Sequence, residues 1–347
     1  MSDFAEKLIA WQQAHGRHDL PWQQTRDPYA IWVSEIMLQQ TQVSAVIAYY
    51  DRFMQRFPTI ASLAEAEQDE VMRYWSGLGY YSRARNLHQA AQTIMREHCG
   101  IFPTNFETIQ TLKGIGRSTA AAISVFAFNQ RQTILDGNVK RVLARLYAIE
   151  GWPGLPEVEK KLWQIAESVL PSQGLPAYVQ GLMDFGATLC TRSKPNCHRC
   201  PMQASCLAYQ QQMVYVLPAP KPRKALPEKQ TTVLMILDAG EILLERRPNH
   251  GIWGGLWSLP ELSPSALAVP HVKTTFDMDV EPLETLPVLW HTFTHFKLEI
   301  TPQPLLLQGK RPPPAPNQQW LALADAVAAA LPTPIRTLIK GLQQVRF

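Results

Sequence analysis

Four of the five cysteines crowd into one stretch, Cys190, Cys197, Cys200 and Cys206, spaced C-x6-C-x2-C-x5-C, while Cys99 stands alone. Thiols with two residues between them, in a chain expected in the cytoplasm, suit a metal better than a disulfide. Four thiolates can hold zinc or an iron–sulfur cluster, and the spacing leaves both open. Arg192 and Lys194 lie between the first two cysteines and Arg199 follows, so a metal here would stiffen a short basic loop suited to phosphate. Cys99 reads as an ordinary half-buried thiol. A second candidate is Lys113-Gly114-Ile115-Gly116-Arg117-Ser118, where glycines two apart let backbone N–H groups approach an anion just before a helix. Such a turn grips a phosphate without reading sequence. Twenty residues after Gly116 comes Asp136, at the N-cap position of the next helix, a placement expected to fix its carboxylate and lower its pKa. Glu35 stands in the mostly apolar residues 31–38, and such surroundings raise a carboxyl pKa toward what a general acid needs.

Helices must position these groups. Apolar spacing predicts helices over residues 3–15, 27–38, 42–57, 69–75, 81–96, 105–111, 117–128, 137–148, 157–169 and 176–189, with Asp27-Pro28 as a cap followed by proline at the first helical position. Almost nothing before residue 210 reads as strand, so residues 1–217 are expected to form an all-α domain. Residues 218–229 read as a stiff, basic, proline-rich linker. Beyond it, residues 231–237 and 242–246 flank Asp238-Ala239-Gly240-Glu241 as a hairpin, 291–300 alternates like one strand, and 321–331 looks helical. Residues 230–347 are therefore expected to be a smaller α+β domain.

Composition narrows the class. The chain has 347 residues, 46% apolar and 18% charged, with 32 aromatic side chains, enough for a sizeable core and against global disorder. No apolar run approaches the roughly 18 residues of a membrane span. The N-terminus is acidic and amphipathic, unlike a secretory signal. A net charge of +4 says little alone. The density is more telling: four arginines and no acid between Arg73 and Arg96, and six basic residues against one acid between Lys113 and Arg145. Two such runs beside glycine-rich turns point to a polyanion.

The hairpin, the following aspartate and the four-cysteine loop resemble those of the helix-hairpin-helix DNA glycosylases that carry an iron–sulfur cluster. Within that superfamily the chain resembles the adenine DNA glycosylases of the MutY type over essentially its whole length. The stretches that carry this are Leu20-Pro21-Trp22, Glu35-Ile36-Met37-Leu38-Gln39-Gln40-Thr41, Gly77-Leu78-Gly79-Tyr80-Tyr81 and residues 135–142. The resemblance implies one [4Fe–4S] cluster on Cys190, Cys197, Cys200 and Cys206. It implies double-stranded DNA as partner, with adenine mispaired with 8-oxoguanine or guanine as substrate, for a monomer working at the bacterial nucleoid and not at a membrane. It assigns Glu35 to protonate adenine at N7 and Asp136 to stabilise the sugar cation or help direct attack on it. Gln40 and Tyr80 would wedge into the base stack or press on the opposite strand, and Trp22, Asn138 and Gln180 would line the adenine pocket or its approach. Gly114, Gly116, Arg117, Lys140 and Arg192 would hold phosphate. Ser118 stands where strand-cleaving relatives resembling endonuclease III carry a nucleophilic lysine; serine cannot form a Schiff base, so water is the expected nucleophile and the strand stays intact.

The second domain resembles the Nudix-like C-terminal domain of the same family, through Arg246-Arg247-Pro248, residues 251–257 and Pro260-Glu261. A working Nudix hydrolase needs a glutamate cluster spaced R-E-x-x-E-E for Mg²⁺, and no such cluster follows Glu261. The family's recognition loop reads Phe-Ser-His; here it is Phe293, Thr294 and His295, which keeps the hydroxyl and adds a methyl. Recognition of the damaged guanine is the role expected for these three residues.

Overall fold

The computed structural model describes residues 3–222, 225–263 and 266–343. These fall into two compact units, one built from residues up to Glu65 together with 86–222, the other from Ala66–Arg85 together with the residues from 225 onward. Among the described residues no helix is long and apolar enough to cross a membrane.

The first unit is helical, as expected. Its elements are α1 (Asp3–His15), α2 (Pro28–Leu38), α3 (Val43–Arg56), α4 (Ile60–Ala64), then α6 (Ser82–Glu97) from Asn86 on, α7 (Phe106–Thr111), α8 (Arg117–Phe128), α9 (Gly137–Leu146), α10 (Pro156–Ser168), α11 (Leu175–Asp184) and the short α12 (Leu207–Gln210). Helix α5 (Gln68–Trp75) belongs to the other unit. Helix α2 starts where Asp27 accepts the Tyr29 N–H and Pro28 fills the first position. It is apolar nearly all round, with Ile31, Trp32, Val33, Ile36 and Met37 buried, which is the pattern of a helix sunk in a core. Helix α4 went unread in the sequence because its cap, Thr59 accepting from Ser62 N, introduces only five residues.

Turn residues set the hairpin between α7 and α8. Gly114 has φ +85°, and a Cβ there would stand 2.9 Å from Cβ of Asn86. Gly116 caps α8 from extended backbone with open space around its Cα. The helix ends at Asn129 in the left-handed region. Leu8, Trp11, Ile134, Val139, Leu143, Leu162, Tyr178 and Phe185 belong to the core that α1, α9, α10 and α11 share.

The second unit carries an eight-stranded sheet. Its strands are β1 (Glu228–Asp238), β2 (Glu241–Arg246), β3 (Trp257–Ser258), β4 (Glu261–Leu262), β5 (Asp279–Pro282), β6 (Leu289–Thr292), β7 (Lys297–Gln308) and β8 (Gln318–Ala322). The main path runs β3-β2-β1-β7-β5, with β4 on β1, β6 on β7 and β8 on β2. Strands β1 and β7 are parallel; the other pairs are antiparallel. The β1–β2 hairpin turns through Ala239 and Gly240, both at positive φ, as a tight two-residue loop requires. Helices α13 (Ala268–Phe276), α14 (Leu323–Ala328) and α15 (Thr333–Leu342) complete this unit.

Several expectations change here. Residues 291–300 are two strands and a turn: the Phe293 N–H donates to Phe296 O at 2.8 Å and the two rings stack at 4.6 Å, so bulky side chains continue an alternating pattern across a reversal. Of residues 321–331 only 323–328 are helical, because Leu321 and Ala322 pair with β2. Strand β1 begins at Glu228, within the expected linker; Arg223 and Lys224 of that linker lie outside the described residues. The largest difference concerns residues 66–85, expected inside the helical domain. Asp69 pairs with Arg246, Arg85 donates to Gly254 O, and Ser76 Oγ donates to Leu331 O at 2.9 Å. Those ties are polar and separated by more than 160 positions, beyond what local periodicity registers.

Gly114→Ala should destabilise the fold by about 1–2 kcal/mol from the left-handed backbone alone, with the Asn86 contact adding to it. Gly116→Ala should cost less, about 0.5–1 kcal/mol, the difference between glycine and alanine at an N-cap. Denaturant unfolding of the two variants beside the parent chain measures the difference.

Candidate active site

A cavity of about 950 Å³ opens in the helical unit, and its wall includes Trp22, Glu35, Asp136, Asn138, Gln180 and Arg192. Six of the expected site residues therefore meet, from segments as far apart as the turn at Pro21–Gln23 and the cysteine loop. Glu35 projects from the otherwise apolar α2, and burial first, then the neighbouring Asp136 charge, push its carboxyl up to about 8. At neutral pH it holds its proton. Asp136 is the N-cap of α9 as expected, accepting from Val139 N at 2.8 Å and from Asn138 Nδ2 at 3.3 Å. Its pKa, expected to fall, is instead raised: the cap bonds and Arg141 favour the carboxylate, but burial outweighs them.

Local geometry holds the wall in shape. Trp22 packs edge-on against Tyr50, ring centroids 5.3 Å apart. Gln180 Nε2 donates to Asp184 at 2.9 Å, and Asp184, fully buried, also pairs with Arg17 at 2.5 Å. Neither Arg17 nor Asp184 drew attention in the sequence; they sit 167 positions apart, and only the fold makes them partners. After α11 the chain widens into a π turn over Phe185–Leu189. Gly186 lies so close to Asn138 that a Cβ would come within 2.7 Å of its Cβ. Arg141 then bridges Asn138 Oδ1 (2.9 Å), Gly186 O (2.6 Å) and Cys190 O (2.9 Å). Widened turns of this kind concentrate at functional sites.

Other expected residues lie elsewhere. Gln40 is exposed at φ +57°, between wall residues Leu38 and Thr41 but off the cavity wall. Ser118 Oγ accepts the Leu135 N–H at 3.0 Å and is not part of the cavity wall. Arg117 stacks on Trp163 at 3.8 Å and pairs with Glu167, and Lys140 pairs with Glu159 at 2.6 Å. Both cations are thus engaged within the protein, and a phosphate would have to compete for them.

The four clustered cysteines line one small cavity of about 30 Å³, together with Arg145, Asn196 and Tyr209. Burial and the neighbouring thiols push Cys200 up to about 12, and burial likewise raises Cys197 and Cys206. Four soft sulfur donors around one space fit a thiolate-bound metal group. Among the described residues no three His, Cys, Asp or Glu side chains form a group that could hold a metal ion; the cysteines surround a cavity instead. The buried Arg145 ties this loop down, donating to Cys190 Sγ (3.3 Å), Thr191 O (2.7 Å), Arg192 O (3.1 Å) and Leu217 O (2.9 Å). Cys99, expected to be half-buried, is exposed, because it follows the last turn of α6 at φ +52°.

In the second unit a cavity of about 930 Å³ has Tyr80, Arg85, Lys229, Trp253, Phe293, Thr294 and His295 on its wall. Phe293 meets His291 edge-on at 4.7 Å and leans on Trp253 at 5.4 Å, which anchors the loop tip. Tyr80 thus shares a cavity with the expected recognition loop, a meeting that no local pattern predicted. Arg247 pairs with Glu261.

Comparison with known proteins gives these sites a context. Residues 33–168 match the HhH-GPD superfamily of base excision DNA repair proteins, and residues 232–341 match the NUDIX domain. The adenine DNA glycosylase of Buchnera aphidicola subsp. Acyrthosiphon pisum is 36% identical over 346 residues, 99% of either chain. That of Homo sapiens is 33% identical over 404 aligned positions, covering 98% of this chain and 74% of the human one. The solved structure of a thermostable thymine-DNA glycosylase superposes with a TM-score of 0.56 at 30% identity, over 60% of this chain and 95% of that one. An endonuclease III bound non-covalently to DNA shares the fold, with a TM-score of 0.51 at 19% identity over the same shares.

A carboxyl held near 8 in the folded chain and near 4.5 when free takes up a proton on folding. Stability should therefore fall as pH rises from about 4.5 to about 8. Glu35→Gln removes that penalty. The variant should exceed the parent in stability above pH 8 by on the order of a few kcal/mol, with the gap closing toward pH 4.5; urea unfolding across this range measures it.

Proposed function

Because the chain belongs to the adenine DNA glycosylase family, we infer that it excises adenine from duplex DNA in base excision repair, acting on adenine paired with 8-oxoguanine or guanine. The observation that carries this reading is the pairing of Glu35, protonated at neutral pH, with Asp136 on one cavity wall. An adenine in the stack cannot reach either, so it must be flipped out, at a cost of a few kcal/mol. Gln40 and Tyr80 fill the space that the base leaves, and Trp22 and Gln180 line the pocket that receives it. Glu35 protonates adenine N7, which makes the base a good leaving group. The sugar left behind carries positive charge, which Asp136 stabilises, with Asn138 holding the Asp136 carboxylate in place.

Water completes the hydrolysis and leaves an abasic site in an intact strand. Support comes from the cavity wall, which among the described residues has arginines but no lysine, and from Lys140, which is bound to Glu159. Phosphates would lie along the N–H groups at Gly114 and Gly116, with Arg192 on the cavity wall and Arg117 and Lys140 as secondary contacts. Cys190, Cys197, Cys200 and Cys206 would hold a [4Fe–4S] cluster, which when bound gives the basic loop a rigid frame. The aromatic cavity of Phe293, Thr294 and His295 would read the opposite 8-oxoguanine. Double-stranded DNA is the partner, and one chain suffices.

The deciding measurement is single-turnover excision of adenine opposite 8-oxoguanine. Glu35→Gln should bind the duplex and lose about 10²–10⁴-fold in rate, and the parent's rate should fall as pH rises through about 8. Product strands should remain whole until treated with hot alkali; nicking by the parent chain itself would refute the water mechanism. Purified protein should be yellow-brown with about four irons per chain, and an active, colourless zinc form would refute the cluster.

A further inference from the structure

Tyr80 lies in a loop, residues 76–81, whose shape no helix dictates: Gly77, Gly79 and Tyr80 all have positive φ, at +101°, +77° and +49°. A non-glycine residue in that region persists only where its surroundings hold it. On one side Arg83 does so, its guanidinium 5.4 Å from the Tyr80 ring and donating to Gly79 O at 3.1 Å. The other anchor comes from the far end of the chain. Ser76 Oγ, buried, donates to Leu331 O at 2.9 Å and accepts from Arg336 Nη2 at 2.7 Å. The same Nη2 donates to Ala329 O at 2.9 Å, so one guanidinium ties the start of the loop to the end of α14. The Tyr81 hydroxyl joins this cluster, accepting from Gly77 N at 3.4 Å and bonded to Ser76 and Thr333. Residues on both sides of Tyr80 are therefore fixed to the start of α15, while the Tyr80 ring stays exposed.

We propose that Arg336 is a positioning residue for Tyr80: through Ser76 and Tyr81 it holds the loop that presents this ring to the DNA stack. The inference rests on the reading of Tyr80 as the wedge. A misplaced wedge leaves the base stack closed more of the time, so the loss falls on base flipping rather than on the proton transfer from Glu35.

The test is a double-mutant cycle in the full chain with its cluster, using Arg336→Met, Ser76→Ala, Tyr80→Ala and the pairs that combine each of the first two with Tyr80→Ala. Two readouts are taken under single turnover: the fluorescence rise of 2-aminopurine placed beside the mispaired adenine, which reports unstacking, and the excision rate. Arg336→Met and Ser76→Ala should each lower both by roughly three- to tenfold, the scale of one or two hydrogen bonds, with the alkaline limb of the pH profile unmoved. In the Tyr80→Ala background neither should cause further loss. Losses that multiply with that of Tyr80→Ala, or an unchanged fluorescence rise in Arg336→Met, overturn the inference alone. A silent Tyr80→Ala overturns the wedge reading beneath it. Ser76→Ala removes the tie without altering α15, so its cycle decides the matter if Arg336→Met does not fold.

Discussion

Removal of water from the Glu35 carboxyl is the condition that the rest of the helical unit serves. An exposed glutamate would be ionised at neutral pH and could not deliver a proton. Burial alone does not suffice, since a second carboxyl must face the same space in the opposite role. The structure separates the two by what surrounds each. Glu35 emerges from a helix with an apolar circumference. Asp136 sits at a helix start with an N–H, an amide and a guanidinium favouring its charged form, although burial still raises its pKa. Paired groups in unlike environments are how one cavity comes to give two carboxyl groups different roles.

Helix α9 is the beam that transmits position. Its first residues carry Asp136 and Asn138, and the next turns present Arg141 and Arg145, which grip the backbone on either side of Cys190. An error in the cysteine loop would therefore be felt at the carboxylate through two side chains and less than three helical turns. The close contact of Gly186 with Asn138 makes this joint stiff, since no larger residue would fit without displacing the amide.

Much of this was legible because it is local. The caps Asp27 and Asp136, the turn at Gly114 and the apolar flanks of Glu35 are each set by a few neighbouring residues, and the structure agrees with them. What stayed hidden depends on distance along the chain. The Arg17–Asp184 pair, the Arg141 bridge and the engagement of Arg117 with Trp163 and Glu167 involve side chains that meet only after folding. The direction of the Asp136 shift was misread for the same reason: its cap is visible in the sequence, and its burial is not. Phe293 and Phe296 misled differently, since β-like alternation persists through a turn when bulky rings stack across it.

The sheet unit is discontinuous, assembled from 20 residues near the start of the chain and the whole of its last third. During synthesis, helix α5 and Ser76 after it leave the ribosome some 250 residues before Leu331 and Arg336, to which Ser76 is finally hydrogen-bonded. Domains generally fold as units as they emerge, but here the chain of the first unit is interrupted by a segment that belongs to the second. That segment carries Val71, Met72 and Trp75, which are buried in the folded protein, and the bonds of Ser76 form only once Leu331 and Arg336 have been made. A chain interrupted anywhere before residue 331 would thus lack those bonds, and its fate would be decided by chaperones and proteases rather than by any defect in the catalytic cavity.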